Sequence, residues 1–205
     1  MGAIEKSNAI FLSIADGKIS RRRHEPNEKT VTRTTKQGKV VHEEFYKGWK
    51  GRITDIQVRE HKEYGKFWNV TLTDDDGDAI LQMNYSSGYS AAFLKILPNI
   101  DLLTDVIISP SMKMEGEKKK TSVFVTQHGK PLKHFYTKDS PNGLPQLKKI
   151  KVKGKEQWDD SDMMEFFENM VNSEIMPKLK KPAGVKKVDV VDVDDMGDPI
   201  EDLPF

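Results

Sequence analysis

Aromatic side chains set among lysines and arginines are the most chemically suggestive pattern in this 205-residue chain. Trp49 lies between Lys47, Lys50 and Arg52, Tyr64 stands just ahead of Lys66 and Phe67, and Phe124 follows the run Lys118, Lys119 and Lys120. Unpaired nucleic acid is gripped by that combination. Cations track the phosphates, and each ring offers a face on which a base stacks, worth about 1–3 kcal/mol per base. Arg21, Arg22 and Arg23, with Arg33, form a second cationic group. Negative charge collects at the far end: residues 188–205 hold seven Asp and Glu and no Lys or Arg. Residues 1–187 therefore carry a net +8 within an overall +1. A basic body joined to an acidic tail points to nucleic acid, as binder or as mimic. The plain alternative is a tail that only aids solubility.

Enzymatic chemistry finds little support. There is no GxxxxGK[ST] phosphate loop, no GxGxxG and no GxSxG elbow, and His24, His42, His61, His128 and His134 never fall at metal-ligand spacing. The acidic run Asp74, Asp75, Asp76, Gly77, Asp78 suggests calcium at first sight. A calcium loop begun at Asp74 needs Gly at its sixth position and Glu at its twelfth, where this chain has Ala79 and Tyr85. The run reads instead as a hairpin turn. No catalytic residue, metal or cofactor is expected. The chain has no cysteine, which removes disulfides and thiolate zinc sites, and nothing near its start resembles a cleavable leader. With 36% hydrophobic and 32% charged residues, a mean hydropathy of −0.64 and no apolar run near the ~20 residues that span a bilayer, a cytoplasmic protein without a membrane partner is expected.

The elements that must position these groups read as mainly β. Residues 1–48 form an extension of two hairpins, the first turning at Asp16-Gly17 and the second at Gln37-Gly38. Residues 49–157 hold strands at 52–61, 67–73 and 79–85, a helix at 89–97, strands at 105–114 and 121–127, and a basic loop beyond with room for a short strand at 147–152. The order β-β-β-α-β-β is that of a five-stranded oligonucleotide/oligosaccharide-binding (OB) barrel, although a mixed α+β sheet satisfies it too. Residues 158–181 read as a helix capped by Ser161, whose stripe of Met163, Phe166, Phe167, Met170, Val171 and Ile175 docks on the core. Residues 182–205 are a linker and a disordered acidic tail. Strand alternation sends Trp68, Val70 and Leu72 inward, with Leu81, Met83, Val123 and Val125. It leaves Phe67, Asn69, Asn84 and Phe124 outside, where Phe67 and Phe124 would make a stacking platform. Tyr64 and Lys66 would line the loop after the first strand, and Lys118–120 the loop between the fourth and fifth.

The last residues run Asp194, Asp195, Met196, Gly197, Asp198, Pro199, Ile200, Glu201, Asp202, Leu203, Pro204, Phe205. An acidic tract ending in an apolar group and a carboxylate suits capture in a basic-rimmed apolar pocket. This ending resembles the C-terminal tip of bacterial single-stranded DNA-binding proteins, and the acidic tails of phage-encoded ones. The resemblance implies that Asp202, Leu203, Pro204 and Phe205 recruit replication, recombination and repair enzymes, while the body coats single-stranded DNA irrespective of sequence. The hairpin extension and the lack of a long Gly/Gln-rich linker favour the phage type, acting in a bacterial host cytoplasm as monomer or dimer. An RNA-binding OB module and a protein-interaction or DNA-mimic adaptor working through the tail are the rival readings.

Overall fold

The computed structural model describes residues 9–35, 38–152 and 154–179. The linker and acidic tail, with Asp202, Leu203, Pro204 and Phe205, lie outside the described residues, as does Gln37 of the second expected turn. Strands β1 (Ile10–Ala15), β2 (Lys18–Arg23), β3 (Val31–Thr34) and β4 (Val40–Tyr46) make the two N-terminal hairpins. They are followed by β5 (Trp49–His61), β6 (Gly65–Asp74), β7 (Gly77–Asn84), α1 (Gly88–Ile96), β8 (Val106–Glu115), β9 (Lys118–Gln127) and β10 (Lys130–Pro131). A separate hairpin, β11 (Lys148–Val152) and β12 (Lys155–Asp159), leads into α2 (Ser161–Met170) and a π-helical turn, Val171–Ile175. No helix among the described residues is long and apolar enough to cross a membrane.

Ten strands share one sheet in the order β10-β9-β8-β5-β6-β7-β1-β2-β4-β3. The long β5 bends the sheet by changing partners. Its first residues, Trp49–Gly51, pair with β8, and the stretch from Arg52 to His61 pairs with β6, with a bulge between Ile53 and Asp55. The expected barrel closure is corrected: the sheet does not close. The outer edge of β7 is taken by β1, which pairs in parallel through Ile10, Phe11 and Leu12 with Ala79, Ile80 and Leu81. The outer edge of β9 carries β10. The β1–β2 turn seats against β8 by side-on contact. Gly17, at φ +73°, donates its N–H to Tyr89 Oη at 2.9 Å, and a Cβ there would stand 2.5 Å from the Met112 backbone nitrogen. That position demands glycine for both its backbone angle and its clearance.

Alternation fills the concave face. Trp68, Val70 and Leu72 of β6, Leu81 and Met83 of β7, Val106 and Ile108 of β8, and Val123 and Val125 of β9 are all buried in one cluster. Helix α1 lays Phe93, Leu94 and Ile96 on that cluster, started by Ser87, whose Oγ accepts the Ser90 N–H at 3.1 Å. The Met/Phe stripe of α2 docks on the same core as expected: Met163, Phe167, Met170, Val171 and Ile175 are buried, and Tyr136 packs its ring against Phe166 and Phe167. The cap differs from expectation. Ser161 is the first helical residue, and Asp159 Oδ1 accepts both its N–H (3.0 Å) and its hydroxyl (2.6 Å).

Candidate nucleic-acid interface

The N-terminal arginines meet buried acid. In register, Arg21 lies opposite Glu44 and Arg22 opposite Glu43, and both glutamates are almost wholly enclosed. A buried carboxylate is costly unless paired. Arg22 Nε lies 3.5 Å from Glu43, and Arg33 grips the same carboxylate through Nε (2.7 Å) and a terminal nitrogen (3.2 Å). Arg23 binds Glu44 at 3.0 Å, joined by the Tyr46 hydroxyl and by Asn27 Nδ2 at 2.8 Å. Arg22 and Arg23 thus hold the two hairpins together while Arg33 braces the second, and a phosphate would have to share guanidiniums already engaged.

This cluster makes stability depend on pH. The hydrogen bond from Arg23, with those from Tyr46 and Asn27, holds the Glu44 carboxyl down to about 2, against an ordinary value of 4.5. A depressed folded-state value means stability that is complete above the ordinary value and is lost as pH falls from about 4.5 towards 2. Allowing for screening around the half-exposed arginine, the loss is about 1–2 kcal/mol. Urea denaturation at pH 6, 4 and 3 is expected to show this decline in the parent chain. Glu44→Gln should start less stable at pH 6 and lose less across the same window, and parallel declines would remove the assignment.

Other expected contacts are scattered around β5 to β7. Trp49 is half-buried, set edge-on to Tyr46 with centroids 5.3 Å apart. Arg52 is half-buried opposite Thr73. Tyr64 stacks on His61 at 4.7 Å in the β5–β6 turn. Lys66 reaches Glu168 of α2 at 3.4 Å and lies 5.2 Å from the Tyr85 ring centre. Tyr85 also donates to Glu168, and burial followed by that hydrogen bond pushes its phenol well up. Asn69 accepts from Gln82 at 3.4 Å, and the Asn84 carbonyl accepts from Ser87 N–H and the Ser90 hydroxyl. Phe67 is corrected. It lies on the side of β6 away from Trp68, yet only 6% of it is exposed, because a central strand can be covered on both faces, which alternation alone does not tell. It offers no open ring to a base.

On β8 and β9 the expected groups come together. Lys118, Lys119 and Lys120 are in strand β9, not in a loop, because Gly116 at φ +62° lets the chain reverse within Gly116 and Glu117. Alternation sends Lys119 to Asp16 (3.2 Å) in the β1–β2 turn, while Lys120 lies 2.8 Å from Glu115. Phe124 is 55% exposed, opposite Ser109. Its face of the ladder runs Lys113 opposite Lys120, Ser111 opposite Ser122, Ser109 opposite Phe124, Ile107 opposite Thr126, and Lys50 beside Ile107. Lys120 and Phe124 stand four residues apart along β9, roughly 13 Å. The strip thus carries lysines at one end, hydroxyls in the middle and an open ring with Ile107 at the other. Beyond Ile107, a shallow groove is lined by Lys50, Asp105, Thr126 and His128. Ile107 and Lys113 escaped the sequence reading, and Lys50 entered it only as a neighbour of Trp49, because only the strand register brings them onto the face of Phe124. Among the described residues no three His, Asp or Glu side chains gather as a metal site would require. No protein-family model, no curated protein and no solved structure matches the chain.

Proposed function

We propose that this protein binds single-stranded DNA without regard to sequence, and that its acidic tip recruits enzymes of replication, recombination and repair. The observation that carries the reading is the β8–β9 strip, where exposed Phe124 lies in line with Lys113 and Lys120 across small hydroxyl side chains. A ring and cations spaced along one strand suit a backbone and bases running over them, and hydroxyls add hydrogen bonds with little sequence preference. Strand order adds support. From β5 to β9 the chain follows OB connectivity, with β5 shared between β6 and β8, and the N-terminal hairpins stand where the barrel seam would close. The body's +8 charge and the tail's resemblance to single-stranded DNA-binding proteins complete the case. A phage-encoded protein of this type would work in its host's cytoplasm.

The test is fluorescence anisotropy of labelled oligo(dT) titrated with the full chain at 50 and 200 mM salt, with duplex DNA and oligo(rU) as competitors. Oligo(dT) should bind best. About four phosphate contacts predict a roughly 50-fold loss of affinity between the two salts. Preference for oligo(rU) would move the protein to RNA. Absence of binding even at 50 mM would leave only the adaptor reading, in which the tail acts alone.

A further inference from the structure

Of the three tryptophans, Trp68 is buried and Trp49 half-buried, while Trp158 is 64% exposed on β12. The hairpin that bears it has only two strands and also exposes Leu147 and Ile150 at or beside β11. Two-stranded hairpins have little stability of their own. This one is anchored at its base: Lys148 pairs with Asp162 of α2, Asp159 accepts from Ser161 at the start of the same helix, and Met163, Met164 and Phe167 fix the helix in the core. The charge of the segment is one-sided, with lysines at 148, 149, 151, 153 and 155 against Glu156 and Asp159. In register Lys149 stands opposite Trp158, and its ammonium lies 5.1 Å from the indole centre and 3.6 Å from Glu156, an exposed pair that a phosphate can displace.

We infer that the β11–β12 hairpin is a second contact for single-stranded DNA, in which a base stacks on Trp158 and Lys149 and Lys151 meet the flanking phosphates. An anchored, lysine-rich arm with an open indole matches a polyanion carrying flat bases in both charge and shape. Helix α2 ties the hairpin to the β5–β6 side of the sheet. Asp162, which holds the hairpin, and Glu168, which holds Lys66 and Tyr85, are six residues apart on α2, about 9 Å along its axis. The helix thus joins the hairpin to the β5–β6 turn, which bears Tyr64 and Lys66. The inference rests on the single-stranded DNA reading.

The experiment uses the full chain and oligo(dT), reading anisotropy for affinity and intrinsic fluorescence for contact, with near-ultraviolet circular dichroism to confirm the fold. Trp158→Ala should weaken binding about 5- to 150-fold, the range for one lost stacking contact. Trp158→Phe should keep most of the affinity and lose the Trp158 share of the DNA-induced quenching, leaving only what half-buried Trp49 contributes, since Trp68 is enclosed. If the parent chain binds oligo(dT) while Trp158→Ala binds within twofold of it and quenching in Trp158→Phe equals that of the parent, the hairpin contact is wrong and the function stands. If the parent chain does not bind oligo(dT) at 50 mM salt, the functional reading falls and this inference with it.

Discussion

Truncating Phe167 to alanine is expected to destabilise the protein by about 3–5 kcal/mol, the usual loss for a large aromatic removed from a closed core. The ring is fully buried, within 5.9 Å of Tyr136 and 6.1 Å of Phe166, in a cluster that also takes in Met163, Met164 and Met170. For a chain of this length each kcal/mol moves Tm by about 2–4 °C, so a fall of roughly 6–20 °C should appear in a calorimetric scan. Phe167→Leu should lose clearly less, because most of the volume is kept. The effect has a functional side, since α2 positions Glu168 against Lys66 and Tyr85 and braces the β11–β12 hairpin through Asp162. A Tm change under 2 °C would mean that α2 is not docked as described.

What could be read from the chain depended on whether the deciding contact was local. Trp68, Val70 and Leu72 alternate with polar residues, and residues 89, 92, 93, 96 and 97 fall on one helical face, so core strands and α1 were legible within a turn or two. Ile10, Leu12 and Ile14 likewise mark a strand. Nothing local says that β1 lies parallel to β7, and that long-range pairing is what occupies the edge a barrel would need. The same limit hid the role of the arginines. Glu43 and Glu44 look like solvated acids until the β2–β4 register sets them opposite Arg22 and Arg21. Phe67 obeys alternation, but alternation cannot say which faces of a central strand are covered. Trp158 was missed for a compositional reason. The sequence of β12, Lys-Glu-Gln-Trp-Asp, has no apolar alternation, so the short strand read at 147–152 had no visible partner.

Removing residues 188–205 is expected to raise affinity for oligo(dT) at 50 mM salt by about tenfold and to leave it nearly unchanged at 300 mM. On the proposed reading, the body's net +8 would attract DNA phosphates and the seven acids of the tail alike, so an intact tail would compete for the cationic surface until DNA displaced it. Screening shortens the reach of that attraction to roughly a Debye length, which is why the difference should fade with salt. Phe205→Ala separates the two roles of the segment, because it changes no side-chain charge. Its oligo(dT) affinity should match that of the parent chain, while affinity for a purified replication or repair enzyme captured by the tail should fall about 30-fold or more, as when a buried aromatic anchor of about 2 kcal/mol is lost. Equal oligo(dT) binding with and without the tail at 50 mM salt would rule out the competition. A Phe205→Ala tail that holds the enzyme as tightly as the original would mean that capture depends on charge alone.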